Sequence, residues 1–191
     1  MSRGAALILA AGAGSRFGSL KQLAPLQGKP LLQHAVDAAT AVLPDHVYCV
    51  LGNGATEIES AVNGARFIAH EQWASGMGSS LAAGVDALAE QYDWLLVMLG
   101  DQPAVTAQHL QDLINELPGF DCVCSRYGNI RGVPAIFTRG WYQKLTGLRG
   151  DRGAQALLRD NRDLREIELA AALWDVDTPA DLTRHQDGKR S

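Results

Sequence analysis

The stretch that most restricts what this chain can fold into is Leu7 to Lys21, LILAAGAGSRFGSLK. Ala5 to Ala11 is an unbroken apolar run, the pattern of a strand covered on both faces rather than wetted on one. It breaks into Gly12, Gly14 and Gly18, with Ser15 and Arg16 between them and Lys21 just beyond. Glycine lets a backbone turn and approach a ligand without a Cβ penalty. The freed N–H groups can face an anion, and Arg16 and Lys21 add fixed positive charge. A buried strand feeding such a loop predicts a polyphosphate cradle.

Two familiar loops fail on spacing. A P-loop needs Gly, four residues, then Gly-Lys-Ser/Thr. Here Lys21 lies three residues past Gly18 and is followed by Gln22. The dinucleotide fingerprint is G-x-G-x-x-G, whereas Gly12, Gly14 and Gly18 read G-x-G-x-x-x-G. Its acid about twenty residues on is also missing, because Asp37 falls inside a helical pattern.

Composition narrows the classes further. The chain has 191 residues, 47% of them hydrophobic, enough for one large core. Net charge is −4, which gives no support to a nucleic-acid groove or an anionic-membrane surface. No run is long enough to span a membrane, and MSRGAALILAAGAG is not a signal peptide, so a cytoplasmic enzyme is expected. Cys49, Cys122 and Cys124 fall in expected strands; an odd count with C-x-C spacing predicts buried thiols rather than disulfides or zinc ligands. The five histidines are scattered without paired spacing and read as surface or core, and Trp73 reads as packing.

Along the chain, Pro30 opens a helix whose apolar stripe is Leu31, Leu32, Ala35, Val36 and Ala39. Strands are expected at His46–Leu51 and Arg66–Ala69, with a short helix over Ala55–Val62 between them. In Glu71–Gly84, EQWASGMGSSLAAG, Gly76 and Gly78 deliver Ser79 and Ser80 to a helix start, where the hydroxyls could serve as caps. Trp94–Leu99 reads as a central strand running into Gly100-Asp101-Gln102-Pro103. A carboxylate at the C-terminal end of a central strand sits where open α/β sheets bind ligands, and Asp is a hard ligand suited to Mg²⁺. Thr106 caps a helix through Leu117. Cys122–Ser125 is a strand, Arg126–Gly132 a turn-rich excursion, and Val133–Phe137 a returning strand. Trp141–Leu148 is helical, Asp151 caps the next helix, and Leu164–Leu169 is an outer strand. In WDVDTPADL, Thr178, Pro179 and Asp181 form a helix start, and Asp175 and Asp177 share a strand face about Val176. Strands alternating with helices predict a three-layer α/β/α architecture with a mostly parallel, Rossmann-like sheet. One domain over 1–184 and a polar tail over 185–191 are expected.

LAAGAGSRFGSLKQLAPLQGKPLL resembles nucleotidyltransferases that carry L-A-A-G-x-G-x-R-x-G-x-x-K followed by G-K-P-L-L. Within that superfamily, of nucleotide-diphospho-sugar transferase fold, the chain looks most like the MobA-like enzymes, in their molybdenum cofactor cytidylyltransferase branch. W-x-x-G-M-x-S-S-L, G-D-x-P, R-G-x-P, L-x-G-D-x-G-A-R-x-L-L and D-x-D-T-P-x-D-L all have counterparts in order along the chain. Val133 stands where these enzymes often have His, and Gln155 where Arg is usual.

The resemblance implies transfer of a nucleoside monophosphate, from CTP to a molybdopterin-type phosphate, with release of pyrophosphate. It implies nucleotide binding by Leu9, Ala10, Ala11, Gly12, Gly14, Ser15, Arg16, Gly18, Lys21, Gly78, Ser79 and Ser80. Lys21, Arg16 and Asp101 would be catalytic, Asp101 and Asp177 would hold Mg²⁺, and Arg131, Gly132, Pro134 and Asp151 would meet the acceptor. Transient contact with a molybdoenzyme or its chaperone is compatible with it. Guanylyl transfer, sugar-phosphate nucleotidyl transfer and a non-catalytic nucleotide sensor remain alternatives.

Overall fold

A computed structural model describes residues 2–12, 17–159 and 161–187. Seven strands form the central sheet: β1 (Gly4–Leu9), β4 (Val47–Leu51), β5 (Arg66–Ala69), β6 (Trp94–Leu99), β7 (Cys122–Tyr127), β8 (Ile130–Thr138) and β9 (Arg165–Glu168). Their order is β5-β4-β1-β6-β8-β7-β9. The pairs β1–β4, β1–β6, β4–β5 and β7–β9 are parallel; β8 runs antiparallel between β6 and β7. A small hairpin, β2 (Pro25–Leu26) with β3 (Lys29–Pro30), leads into α1 (Leu31–Val42).

The unbroken apolar strands follow from burial on both faces. Ala5, Leu7 and Leu9 of β1 point to one side with Val50, Leu95, Val97 and Cys124, where α3 (Met77–Leu88), α5 (Arg139–Thr146) and α6 (Gln155–Arg159) pack. Ala6 and Ile8 point the other way with Cys49, Leu96 and Met98, against α1 and α4 (Ala107–Asn115). This is the period-2 alternation of a strand between two layers of helices. The expected three-layer architecture is therefore present, and the predicted α1 stripe is buried as predicted.

Several local expectations change. The Arg126–Gly132 excursion is a hairpin in which Arg126 pairs with Arg131 and Tyr127 with Ile130, leaving Gly128 and Asn129 as the turn. The sequence hid this because Gly and Asn punctuate a strand end and a tight turn alike. The helix α4 stops at Asn115 rather than Leu117; it does begin at a capping box between Thr106 and His109. Asp175 and Asp177 lie in an irregular segment, not on a strand face. The backbone there is tied to the β6 end by Val176 N–H donating to the Asp101 carbonyl at 2.9 Å, and the Val176 side chain is buried. The last helix, α7 (Pro179–Asp187), extends past the boundary expected for the tail.

Candidate active site

The C-terminal ends of β1 and β6 are neighbours, so the loops that follow them open at one edge of the sheet. There a cavity of about 350 Å³ is lined by Leu9, Ala10, Ala11, Gly12, Lys21 and Asp101, and by Trp73, Ser80 and Asp151 from other segments. Ligands bind open α/β sheets at such strand ends.

Lys21 opens a 3-10 turn, Lys21–Leu23, and its ammonium bridges two carboxylates far apart in sequence. Its Nζ lies 2.7 Å from Asp101 Oδ2 and 3.0 Å from Asp177 Oδ1. Burial opposes the charge on Lys21, yet the Asp101 and Asp177 carboxylates outweigh it and hold the ammonium above the ordinary lysine range. Burial pushes the Asp101 carboxyl up; Lys21 opposes this, while Asp175 and Asp177 add to the rise. Among the described residues Asp101 Oδ1 is buried with no hydrogen-bond partner. A buried acceptor left so is costly.

Asp177 is held from the next element. Asp181 Oδ2, in the first turn of α7, accepts from the N–H of Asp177 at 3.1 Å and of Thr178 at 2.8 Å, and from Thr178 Oγ1 at 2.8 Å. The helix start read in the sequence thus aims the carboxylate that precedes it.

Gln22, which sequence reasoning passed over, supports the glycine loop. Its Nε2 donates to the carbonyls of Ala10 at 2.6 Å and Gly12 at 3.1 Å, fixing those two peptides at the cavity rim. An amide following the loop lysine was the available signal. Trp73 also belongs to the cavity wall rather than to simple core packing, and its ring lies on the bare face of Gly52.

At the start of α3 no side chain caps the helix. Ser79 instead donates back to the Gly76 carbonyl at 2.8 Å and lies 3.1 Å from His70 Nε2, while Ser80 is buried and lines the cavity. The Gly78 N–H is satisfied by the Gly150 carbonyl at 2.8 Å. A Cβ on Gly78 would stand 2.5 Å from the Arg152 carbonyl oxygen, so this glycine serves docking of the 149–153 loop. Asp151 is not the expected cap, because α6 starts four residues later at Gln155. It sits in that docked loop, against Gly76.

The structure therefore brings together Leu9, Ala10, Ala11, Gly12, Lys21, Ser80, Asp101, Asp151 and Asp177. Gly18 has φ of 75° and does not line the cavity. Gly14, Ser15 and Arg16 lie outside the described residues. Of the remaining acceptor candidates, Arg131 donates to Glu166 and to the carbonyls of Leu158 and Asn161, Gly132 packs against Tyr127, and Pro134 accepts from Ser125 Oγ at 2.7 Å. None of these three lines the Lys21 cavity. Cys49, Cys122 and Cys124 are free and buried, and burial pushes their thiols up, Cys49 to about 12.

Residues 6–167 match the family described as the MobA-like NTP transferase domain. The chain belongs to that family. Among its relatives, nicotine blue oxidoreductase of Paenarthrobacter nicotinovorans is 31% identical, over 93% of this chain and 94% of that protein. The bifunctional protein GlmU of Bacillus cytotoxicus is 27% identical over 88% of this chain, which spans 36% of GlmU. The crystal structure of Rv0371c from Mycobacterium tuberculosis H37Rv aligns with a TM-score of 0.87 and 28% identity, covering 97% of this chain and 98% of that one. Its complex with manganese aligns at 0.83 and 27%, covering 97% and 99%. MobA-like family membership and the superfamily's Rossmann-like fold thus agree with the expectation from the motifs. Among the described residues no helix is long and apolar enough to cross a membrane.

Proposed function

We propose that this MobA-like protein transfers cytidine monophosphate from CTP to the phosphate of a molybdopterin-type acceptor and releases pyrophosphate. The observation that carries the reading is the Lys21 ammonium held between Asp101 and Asp177 beside the glycine loop. An acceptor phosphate oxygen forms a bond to the α-phosphorus as the bond from that phosphorus to the β-phosphate oxygen breaks. Both reactants are polyanions, so positioning and charge neutralisation dominate. Peptide groups from Leu9 to Gly12, braced by Gln22, meet the triphosphate; the resemblance assigns Gly14, Ser15 and Gly18 to the same loop's nucleotide contacts and Arg16 to the β/γ phosphates. Lys21 neutralises charge developing around the α-phosphate. Ser79 and Ser80 lie at the nucleoside end, with Gly78 keeping their turn docked. Arg131, Gly132 and Pro134 serve the acceptor from the β8 side, with Asp151 between the two substrates. An ionised acceptor phosphate needs no protein base.

Two carboxylates, one with a buried oxygen that has no partner among the described residues, suit a hard divalent ion. Among the described residues no third acid, His or Cys joins them, so phosphate oxygens and water would complete a Mg²⁺ shell held by Asp101 and Asp177. Bound there, Mg²⁺ would supply charge neutralisation of the phosphate oxygens. The manganese complex of Rv0371c supports a divalent ion in this fold.

The L-A-A-G form of the loop favours CTP over the L-A-G-G loop of guanylyl enzymes. Thermal-shift screening with CTP, GTP, UTP and ATP plus Mg²⁺ tests this. The largest shift is expected with CTP, and a clear GTP preference overturns it. In this reading the protein works in the cytoplasm and hands its product to a molybdoenzyme or its chaperone. A second reading, oxidoreduction, is favoured by 31% identity to nicotine blue oxidoreductase over 93% of this chain. Reductant-dependent bleaching of nicotine blue by the purified protein would support it; our reading expects none.

A further inference from the structure

Gln102 follows Asp101 just past β6, and its side chain is buried, with 4% of the residue exposed. Burying an amide is costly unless its polar atoms are bonded, and an apolar side chain of similar size would fill the space without that cost. One bond accounts for the amide: Nε2 donates to the Ala172 carbonyl, 70 residues away in sequence, at 2.7 Å. The opposite orientation of the amide would set two acceptor oxygens at that distance, so chemistry fixes which end faces Ala172. Gln102 Oε1 is buried with no partner among the described residues. The amide is therefore kept for its donor. Its backbone is held as well, because the Gln102 carbonyl accepts from Val105 N–H at 3.1 Å.

Ala172 belongs to the 3-10 turn Ala170–Leu173, and the chain soon returns to the same place. There Val176 N–H donates to the Asp101 carbonyl at 2.9 Å. Two neighbouring residues, Asp101 and Gln102, thus hold both ends of the arc from Ala172 to Val176. Along the arc Leu173 and Trp174 are 52% and 56% exposed and Asp175 is exposed too, so burial of these side chains does not fix its path. Where the arc stands depends on what holds its ends. Asp177 is the next residue, and its Oδ1 lies 3.0 Å from Lys21 Nζ. Asp181 secures the peptides that follow, by accepting from the N–H groups of Asp177 and Thr178. Gln102 secures the turn that precedes.

We infer that Gln102 is a positioning residue for Asp177: its amide holds the Ala170–Leu173 turn against the end of β6 and so sets where the Asp177 carboxylate meets Lys21. Gln102 does not line the Lys21 cavity and acts through the backbone of the arc. The inference deepens the nucleotidyltransferase reading, on which the metal role of Asp177 rests.

The test titrates Mn²⁺ alone into the protein and follows its binding through water proton relaxation, which needs neither nucleotide nor acceptor. Gln102→Met and Gln102→Leu both remove the donor with different shapes, so one defect of packing cannot mimic the result in both. Each raises the Mn²⁺ Kd about fivefold, the scale of one hydrogen bond. In an Asp177→Asn background the same substitutions produce no further rise, because the carboxylate they position is gone. Wild-type Mn²⁺ affinity in the Gln102 variants, an equal further rise beside Asp177→Asn, or no Mn²⁺ binding by the wild type overturns the inference. Thermal melts show which variants are folded at the titration temperature, and one folded donor-free variant is enough for the cycle. Pyrophosphate release from CTP and molybdopterin is followed on the same proteins. A Gln102 effect that vanishes beside Asp177→Asn, with no release by the wild type, would sink the transferase reading and keep the positioning role. Release by the wild type with unchanged Mn²⁺ affinity in the variants would do the reverse.

Discussion

Asp101 is placed at a cost to the free protein. Its carboxyl is raised by burial, with Asp175 and Asp177 adding to the rise against Lys21, so ionising it is harder in the folded chain than in the unfolded one. A folded value above the unfolded one contributes stability that is complete below the ordinary Asp range and is lost as pH rises through the raised value. Asp101→Asn should therefore melt at a higher temperature than wild type near neutral pH, with the difference closing toward pH of about 4. The same variant should lose about two orders of magnitude or more in turnover. A lower melting temperature at neutral pH would refute the assignment of strain to this carboxylate. Lys21→Ala should lose turnover similarly, and it should also destabilise the fold as pH rises, since Asp101 then has no ammonium beside it. Thermal melts across the acidic range check both signs. At this scale the sequence singled out Lys21 beside the glycine loop and Asp101 at a strand end, and Asp177 only through the resemblance to D-x-D-T-P-x-D-L; the structure brings the three side chains together. It was silent on Gln22 and favoured packing for Trp73, because an amide and an aromatic have ordinary packing uses and nothing local separates the two roles.

Elements carry the aim of these side chains. The box at Thr178 and Asp181 orients Asp177, and its hydrogen bonds from Thr178 hold the Asp181 carboxyl below the ordinary range. Such a lowered group gives stability present above the unfolded value and lost as pH falls through the folded one. Asp181→Ala should cost about 1 kcal/mol of stability and raise the Mg²⁺ concentration needed for half-maximal rate. Metal titration of the rate, together with a denaturant melt, checks this; loss of stability with no change in metal demand would detach the cap from Asp177. Gly78→Ala should undock the 149–153 loop, lowering both melting temperature and turnover, because the obstructing atoms are backbone carbonyls that cannot rotate away. Periodicity revealed β1, β6 and α1 closely, since each is apolar in a pattern that one secondary structure alone satisfies. The Asp175–Asp177 segment and the role of Asp151 were misread for one reason. Both are set by contacts with distant segments, Val176 with Asp101 and the 149–153 loop with α3, and no local pattern encodes these.

Across the whole molecule, the parallel pairing of β1 with β6 makes the site possible, because it delivers two loop ends to one edge. The antiparallel β8 then extends that edge toward β7 and β9. The sheet's parallel character was readable from its doubly buried strands; the reversal at β8 was not, since β8 is as apolar in its core-facing half as its parallel neighbours. The measurement that bears most directly on the account is pyrophosphate release from CTP and molybdopterin, with and without Mg²⁺, by wild type and Asp101→Asn. The account predicts release that requires acceptor and Mg²⁺ together and falls at least a hundredfold, about 3 kcal/mol, in the variant. Release by Asp101→Asn at the wild-type rate, or none from wild type with any triphosphate, would contradict it.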